Sequence, residues 1–294
     1  MEKEKVRVIQ SYKDLVKIPK KLLQMLPTSF DTVGDIILIK IKDEIIDYKK
    51  QIAEALINTH KNIKTICMIS PVGGELRTRK LEIIGGENRT ITVHKEYGLK
   101  FFIDLEKMYF SSRLANERKR IANLVKKGEI IVDMFTGVAP FSIMIAKYAE
   151  PKIIFAFDKN KNAIKYAKEN IKKNNVLDKI EIINIDASKS PSVLKQKKVQ
   201  ADRIIMNLPF SAFNFFPIAI EIMADTCVIH YFDILSEDEI AMKINKLKKL
   251  TNNSHIVIEK TKVRKIKSYS PREFYIGIDI TAKRKTYADV AQPG

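Results

Sequence analysis

The stretch IIVDMFTGVAPFSIMIAK, residues 130–147, restricts the fold more than any other part of the chain. Ile130, Ile131 and Val132 form the unbroken apolar run of a strand buried on both faces. Asp133 ends the run and Thr136-Gly137 breaks it. Pro140 suits a first helical position, where its missing N–H costs nothing. Phe141, Ile143, Met144 and Ile145 then begin a helix that is apolar on most sides. Strand, glycine turn and helix make the first unit of a nucleotide-binding α/β sheet, although an ordinary βα turn can read the same way.

The turn is not a dinucleotide fingerprint. G-x-G-x-x-G uses three glycines so that backbone N–H groups can crowd a pyrophosphate, and this turn has only Gly137. An acid at the strand end suits a ligand with positive charge and no phosphate, such as S-adenosylmethionine with its sulfonium and amino-acid tail. The following runs add weight. Lys152–Phe157 ends at Asp158, about two dozen residues after Asp133, where an acid can reach ribose hydroxyls. Glu181–Ile185 ends at Asp186, and Arg203–Met206 ends in Asn207-Leu208-Pro209. Each run thus delivers a polar residue to its carboxyl end, where open α/β sheets bind ligands.

Upstream, residues 1–60 alternate helix and strand signals, with TVGDIILIKIK (32–42) read as a strand preceded by a turn at Gly34-Asp35, and 47–56 as a helix. Residues 71–98 are polar, with Gly73-Gly74 and Gly85-Gly86 bracketing Arg77, Arg79 and Lys80. Arginines between glycines can approach phosphates or bases closely, and a hairpin with solvated cations explains the stretch equally well. A helix is expected from a Ser111 or Ser112 cap to about Lys127, stopped by Gly128. Arg113, Glu117 and Arg120 share one face of it, commonly the pattern of an exposed, salt-bridged helix, but the helix feeds directly into Ile130 and that position places the face near the cofactor crevice. Near the end, 256–266 and 274–280 read as antiparallel strands, and 281–294 as a loosely held tail.

Lysine and arginine outnumber acids 53 to 35, giving a net charge of +18 and pointing to a polyanionic partner. No apolar stretch is long enough for a membrane span and MEKEKVRVIQ is not a signal peptide. Cys67 and Cys227 offer neither metal spacing nor a disulfide framework. A cytoplasmic, monomeric protein without a metal is expected.

Several segments together resemble a known family. GGELRTRKLE (73–82), GGENRT (85–90), YFSSRLANERKRI (109–121), DMFTGVAPFSI (133–143), DRIIMNLP (202–209), VIHYF (228–232) and SYSPREF (268–274) are similar to motifs of the archaeal and eukaryotic tRNA (guanine-N1)-methyltransferases that modify guanosine 37, next to the anticodon. The resemblance implies a class I, Rossmann-like S-adenosylmethionine-dependent methyltransferase domain over 109–294 and a small α+β RNA-binding domain over 1–108. It implies Glu117 as general base, Arg77 at the charge developing on guanine O6, Arg113 as an orienting residue and Asn207 beside the target base. Cofactor contacts fall to Asp133, Phe135, Gly137, Val138 and Pro140, to Asp158 at the ribose and to Asp186 and Ala187 near the adenine. Arg113, Asn207, Leu208 and Pro209 complete them. The anticodon loop of tRNA is the implied partner. The sequence departs from the family pattern at Ala139 and Thr136 in the turn and at Ser112 before Arg113. The resemblance also implies a start after the extra N-terminal domain of the fuller archaeal members. Related readings are methylation of a tricyclic wybutosine precursor, aminocarboxypropyl transfer from the same cofactor, and a non-catalytic basic RNA-binding module.

Overall fold

The computed structural model describes residues 11–70, 80–251 and 255–285. The chain divides into two compact units, Met1–Ser112 and Arg113–Gly294.

The first unit starts with a short helix α1 (Tyr12–Leu15) capped by Ser11. Strands β1 (Asp31–Val33) and β2 (Ile36–Ile39) follow, then α2 (Lys49–Thr59), β3 (Thr65–Ile69) and β4 (Leu81–Gly86). They form a sheet in the order β1-β2-β3-β4, with β2 and β3 parallel. Strands β5 (Ile91–Glu96) and β6 (Leu99–Asp104) make a separate hairpin. The turn expected at Gly34-Asp35 is present: Gly34 takes φ +58 between β1 and β2, and the residues before it form the first strand of a hairpin. Ile37, Ile39, Ile52, Leu56 and Ile66 build the core.

The polar stretch after residue 70 divides in two. Gly73, Gly74, Arg77 and Arg79 lie outside the described residues. Gly85 and Gly86 serve packing. A Cβ at Gly85 would fall 2.7 Å from the Ala53 Cβ, and one at Gly86 (φ +82) 2.0 Å from the Lys64 carbonyl oxygen. Arg89 is also committed internally. It donates to both Asp35 oxygens, at 3.0 and 2.6 Å, and to Glu87 at 2.6 Å. His94 is structural, accepting from the Gly34 amide at 3.2 Å and packing on Phe110.

The second unit opens with α3 (Ala115–Leu124), β7 (Ile130–Asp133), α4 (Pro140–Tyr148), β8 (Ile153–Phe157), α5 (Lys161–Lys173) and β9 (Ile180–Ile183). It continues through α6 (Ser190–Lys197), β10 (Ala201–Met206), α7 (Ala212–Ile222), β11 (Met223–Leu235), α8 (Glu237–Thr251), β12 (Ile256–Ser268) and β13 (Phe274–Arg284). The strand order is β12-β13-β11-β10-β7-β8-β9. Strands β7 to β11 run parallel, and β13 runs antiparallel to both β11 and β12. The path runs outward from β7 to β9, then returns to place β10 on the other side of β7. That reversal opens a crevice at the carboxyl ends of β7 and β10, the switch point of a doubly wound sheet.

Several boundaries differ from the sequence reading. Helix α3 ends at Leu124, not near Lys127, because Val125 is extended and the Leu124 carbonyl accepts from Arg203 Nη2 at 2.9 Å. No serine caps its start, where a 3-10 turn over Ser112–Leu114 leads in. Residues 281–284 continue β13 and do not belong to a tail. Among the described residues no helix is long and apolar enough to cross a membrane.

Candidate active site

The turn between β7 and α4 carries the most unusual electrostatics of the crevice. Asp133 is 1% exposed. Its Oδ2 accepts from Ser142 Oγ at 2.7 Å and Thr136 Oγ1 at 2.9 Å. Its Oδ1 is buried without a hydrogen-bond partner, and the Phe135 amide gives the carboxylate only minor further help. Burial disfavours the charged form, and Asp158 adds repulsion, so the Asp133 carboxyl is pushed up to about 6 despite its two hydroxyl donors. Thr136 is thus a ligand of Asp133, a role the sequence did not reveal.

Gly137 takes φ +56, and a Cβ there would meet nothing within 4 Å. Its amide donates to Asp158 Oδ2 at 2.7 Å, while the Asn160 amide donates to Oδ1 at 2.8 Å. Asp158 is therefore held by backbone at the end of β8, with burial raising its carboxyl above the ordinary value. Asp186 follows β9 and accepts from the Ser188 amide at 2.9 Å, which keeps it below the ordinary value. Ala187 beside it is buried. Phe135 is partly buried and packs edge-on against Phe215. Val138 is only 1% exposed, so its backbone, not its side chain, is what a ligand in the turn could touch. Pro140 begins α4, as expected. Ala139 holds φ +64, a left-handed conformation that glycine adopts without cost.

These features fit S-adenosylmethionine. A buried carboxylate oxygen with no partner asks for a cation or donor, and the glycine leaves room for a ligand against the backbone. Asp158 and Asp186, at the ends of the next two strands, keep lone pairs for hydroxyl and amino groups.

At the end of β10, Asn207 is fixed by Tyr275, whose hydroxyl donates to Asn207 Oδ1. The Leu208 carbonyl accepts from the Ala212 amide at 2.8 Å, locking the Leu208-Pro209 turn onto α7. Phe210 follows at φ +70, its amide donating to Asp233 Oδ1 at 3.0 Å.

Glu117 is not on an exposed salt-bridged face. It is 6% exposed, and its two oxygens accept from Arg120 Nη2 at 2.7 Å and Nε at 2.8 Å. A Cβ added at Gly277 would lie 3.5 Å from Glu117 Oε1. Residue period 2 in β13 puts Gly277 on the same face as Tyr275, which holds Asn207. Glu117 and Asn207 therefore meet the same face of β13, at Gly277 and Tyr275. Arg113 lies in the turn just before α3.

The sequence did not identify the ion network beneath Glu117. Arg120 also donates to both oxygens of Asp279, at 2.9 and 3.1 Å. Arg264 Nη2 stands 2.8 Å from Asp279 Oδ1 and 3.6 Å from Glu117 Oε1. His230 Nδ1 lies 2.6 Å from Asp279 Oδ1, and its Nε2 lies 2.8 Å from Arg203 Nη1. An arginine only donates, so Nε2 must accept and Nδ1 must carry the proton that goes to Asp279. Burial, with Arg203 and Arg120 nearby, keeps His230 neutral by lowering its pKa, against the pull of Asp279. Arg203 is closed off in turn by Glu129, at 2.7 and 2.9 Å. Polar residues at alternate positions of β13 and the arginine inside ADRIIM were the available signals. Among the described residues no cluster of histidine, cysteine or acidic residues could hold a metal.

Comparison with known proteins agrees with this geometry. Residues 92–259 match the model of the TRM5/TYW2 methyltransferase domain, and 12–90 that of the TYW2 N-terminal domain. The chain is 42% identical over 271 residues to the tRNA (guanine(37)-N(1))-methyltransferase Trm5b of Pyrococcus abyssi, covering 92% of this chain and 79% of that protein. The crystal structure of that enzyme superposes with a TM-score of 0.81 at 40% identity, over 93% of this chain and 81% of the other. An aTrm5–tRNALeu complex superposes at 0.78 with 35% identity, over 97% and 81%. The tRNA(Phe) (4-demethylwyosine(37)-C(7)) aminocarboxypropyltransferase of Pyrococcus horikoshii is 32% identical over 265 residues, covering 90% of this chain and 92% of that protein. The structure of P. horikoshii TYW2 in complex with MeSAdo superposes at 0.76 with 28% identity, over 95% and 100%. The chain belongs to the TRM5/TYW2 methyltransferase family.

Proposed function

We propose that this enzyme transfers the methyl group of S-adenosylmethionine to N1 of guanosine 37 in tRNA. The observation that carries the reading is the crevice at the β7–β10 switch point, with Asp133 Oδ1 buried and unpartnered on one side and Glu117 and Asn207 on one sheet face on the other. Bound S-adenosylmethionine would supply an electrophilic methyl on a sulfonium. Asp133 faces its amino-acid end, Asp158 the ribose, and Asp186 with the Ala187 backbone the adenine.

Guanine N1 carries a proton and is a poor nucleophile until that proton leaves. Glu117 receives it. For this, Arg120 must yield one Glu117 oxygen, and it can do so because Asp279 already pairs with it. Arg120 and Arg264 then keep Asp279 as their carboxylate. Removing the proton moves negative charge toward O6, where the resemblance places Arg77; a planar guanidinium suits that charge. Asn207, held by Tyr275, and Pro209 position the base, and Arg113 orients the site. The target base must leave its stack to enter, at a cost of a few kcal/mol. The net charge of +18 supports a polyanionic partner, and tRNA affinity should then fall with salt at a log–log slope of roughly −0.7 to −0.9 per phosphate contact.

A second reading, aminocarboxypropyl transfer within the wybutosine pathway, is favoured by one observation: the first unit matches the TYW2 N-terminal domain model. Identity is higher to the methyltransferase, at 42% against 32%. Parallel assays with methyl-labelled and carboxyl-labelled cofactor, on unmodified tRNA and on tRNA carrying 4-demethylwyosine at position 37, separate the two. Methyl label alone, recovered in 1-methylguanosine, is the expected result. Carboxyl label retained in tRNA would overturn the proposal.

A further inference from the structure

We infer that Phe210 and Tyr269 form a stacking platform for an unpaired RNA base beside the methylated one. This rests on the tRNA reading above and adds a recognition element to it.

The two rings sit on the carboxyl edge of the second-unit sheet. Phe210 follows Pro209 at the end of β10. Tyr269 follows Ser268, the last residue of β12. Strand β12 is antiparallel to β13, which is antiparallel to β11, which is parallel to β10. Strands β10 and β12 therefore end on the same edge, and loops from non-adjacent strands meet there. The rings pack edge to face with centroids 5.7 Å apart. Yet the residues stay 57% and 49% exposed. Burial in the core does not explain two exposed aromatics brought together.

Their backbones are held firmly for exposed residues. Phe210 takes φ +70, which side-chain-bearing residues rarely adopt, and its amide is fixed on Asp233. Asp233 is fixed in turn by the Tyr231 hydroxyl and Lys243, at 2.7 and 2.9 Å. The Tyr269 amide donates to the Glu273 carbonyl at 2.9 Å, and Ser270 Oγ to the Glu273 side chain at 2.8 Å. Rigid aromatic faces lose little entropy when a base stacks on them, and every base offers a π-face. Arg272, in the loop between β12 and β13 that carries Tyr269, supplies a cation for an adjoining phosphate. An aromatic pair with a flanking cation is the chemistry of single-stranded nucleic-acid binding. Asn207, three positions before Phe210, places the platform next to the target base.

The test is a double-mutant cycle on binding, run with the full chain saturated with S-adenosylhomocysteine so that no turnover occurs. The probes are unmodified tRNA transcripts, intact or abasic at the nucleotide 5′ or 3′ of the target. Phe210→Ala, Phe210→Leu and Tyr269→Ala should each weaken binding of intact transcript about fivefold or more, the lower end for one base–aromatic stack. At least one abasic transcript should bind the variants no more weakly than it binds the wild type. Phe210→Leu keeps the apolar bulk, so unchanged S-adenosylhomocysteine affinity certifies its fold. Smaller losses, or losses that multiply for both abasic transcripts, overturn the platform. Methyl transfer by the wild type, assayed separately, reports on the parent proposal, and the binding cycle keeps its meaning whichever way that assay falls.

Discussion

Asp133 and Asp279 are both buried aspartates of the second unit, and folding treats them in opposite ways. At Asp279 burial raises the carboxyl, but His230, Arg120 and Arg264 outweigh it and hold the group far below the ordinary carboxylate range. At Asp133 burial is met only by two hydroxyls and a backbone amide, and the carboxyl is pushed up to about 6. The chain completes the first charge with its own cations and leaves the second incomplete. A group left incomplete in a crevice at the switch point is where a ligand repays the cost, which is about 3 kcal/mol for a shift from 3.8 to about 6. A strongly perturbed acid therefore marks a binding site only when its compensating charge is missing. The sign of the shift separates the two cases.

The largest effect expected is at Glu117, which borders the completed network. Glu117→Gln should slow single-turnover methylation by ~10²–10⁴-fold, the usual span for a positioned base. Glu117 is buried, so loss of its charge also perturbs Arg120 and Arg264, and the variant must be shown to bind S-adenosylhomocysteine normally. Turnover within about threefold of wild type would sink the base assignment. Next is Asp279→Ala, which leaves the buried His230 Nδ1–H without its acceptor and takes from Arg120 and Arg264 one of their two carboxylates. Breaking a buried pair from one side costs roughly 3–5 kcal/mol of stability, measurable by urea denaturation. Because Asp279 is held below its ordinary pKa, the wild type keeps this contribution above about pH 4 and loses it as pH falls further. A loss under 1 kcal/mol on Asp279→Ala would mean that the network does not complete the charge. Asp133→Asn should do the reverse of Asp279→Ala. It should raise the midpoint of the ligand-free protein at neutral pH, because Asp133 contributes stability only below its ordinary value and loses it as pH rises through about 6. It should also weaken cofactor binding by about 10- to 150-fold, as for one charge-assisted hydrogen bond of roughly 1.5–3 kcal/mol. The smallest effect is Ala139→Gly. Relief of the left-handed alanine should add about 1 kcal/mol or less to stability, read by thermal melting.

The sequence made the second unit legible because its strands are short apolar runs, each ending in a polar residue. Asp133, Asp158, Asp186 and Asn207 could be placed on one edge from that pattern alone. It could not show which of these charges the fold would satisfy. Ser142 and Thr136 approach Asp133 from a helix and a turn, and spacing cannot fix that approach. The network around Glu117 was hidden for the same reason: Arg120 and Asp279 meet across 159 positions. Local periodicity placed Glu117 on a helix face, and the helix's position before Ile130 put that face near the crevice, but neither could show which side chains meet it there. In the first unit Arg89 and the Gly85-Gly86 pair read as equally suited to RNA and to a surface hairpin. Close packing of Ala53 and the Lys64 carbonyl explains the glycines instead, and Asp35 and Glu87 account for the arginine. Arg77 lies outside the described residues, so its role rests on the resemblance alone.

Binding of S-adenosylhomocysteine as a function of pH tests the central claim most directly. If the ligand completes the Asp133 charge, it binds the ionised form best. Affinity should then hold steady from pH 8 to about 7 and weaken by about tenfold per pH unit below about 6. Asp133→Asn should bind more weakly and show no such dependence. A wild-type affinity that stays flat from pH 8 to 5, or a pH dependence that survives in Asp133→Asn, would contradict the account.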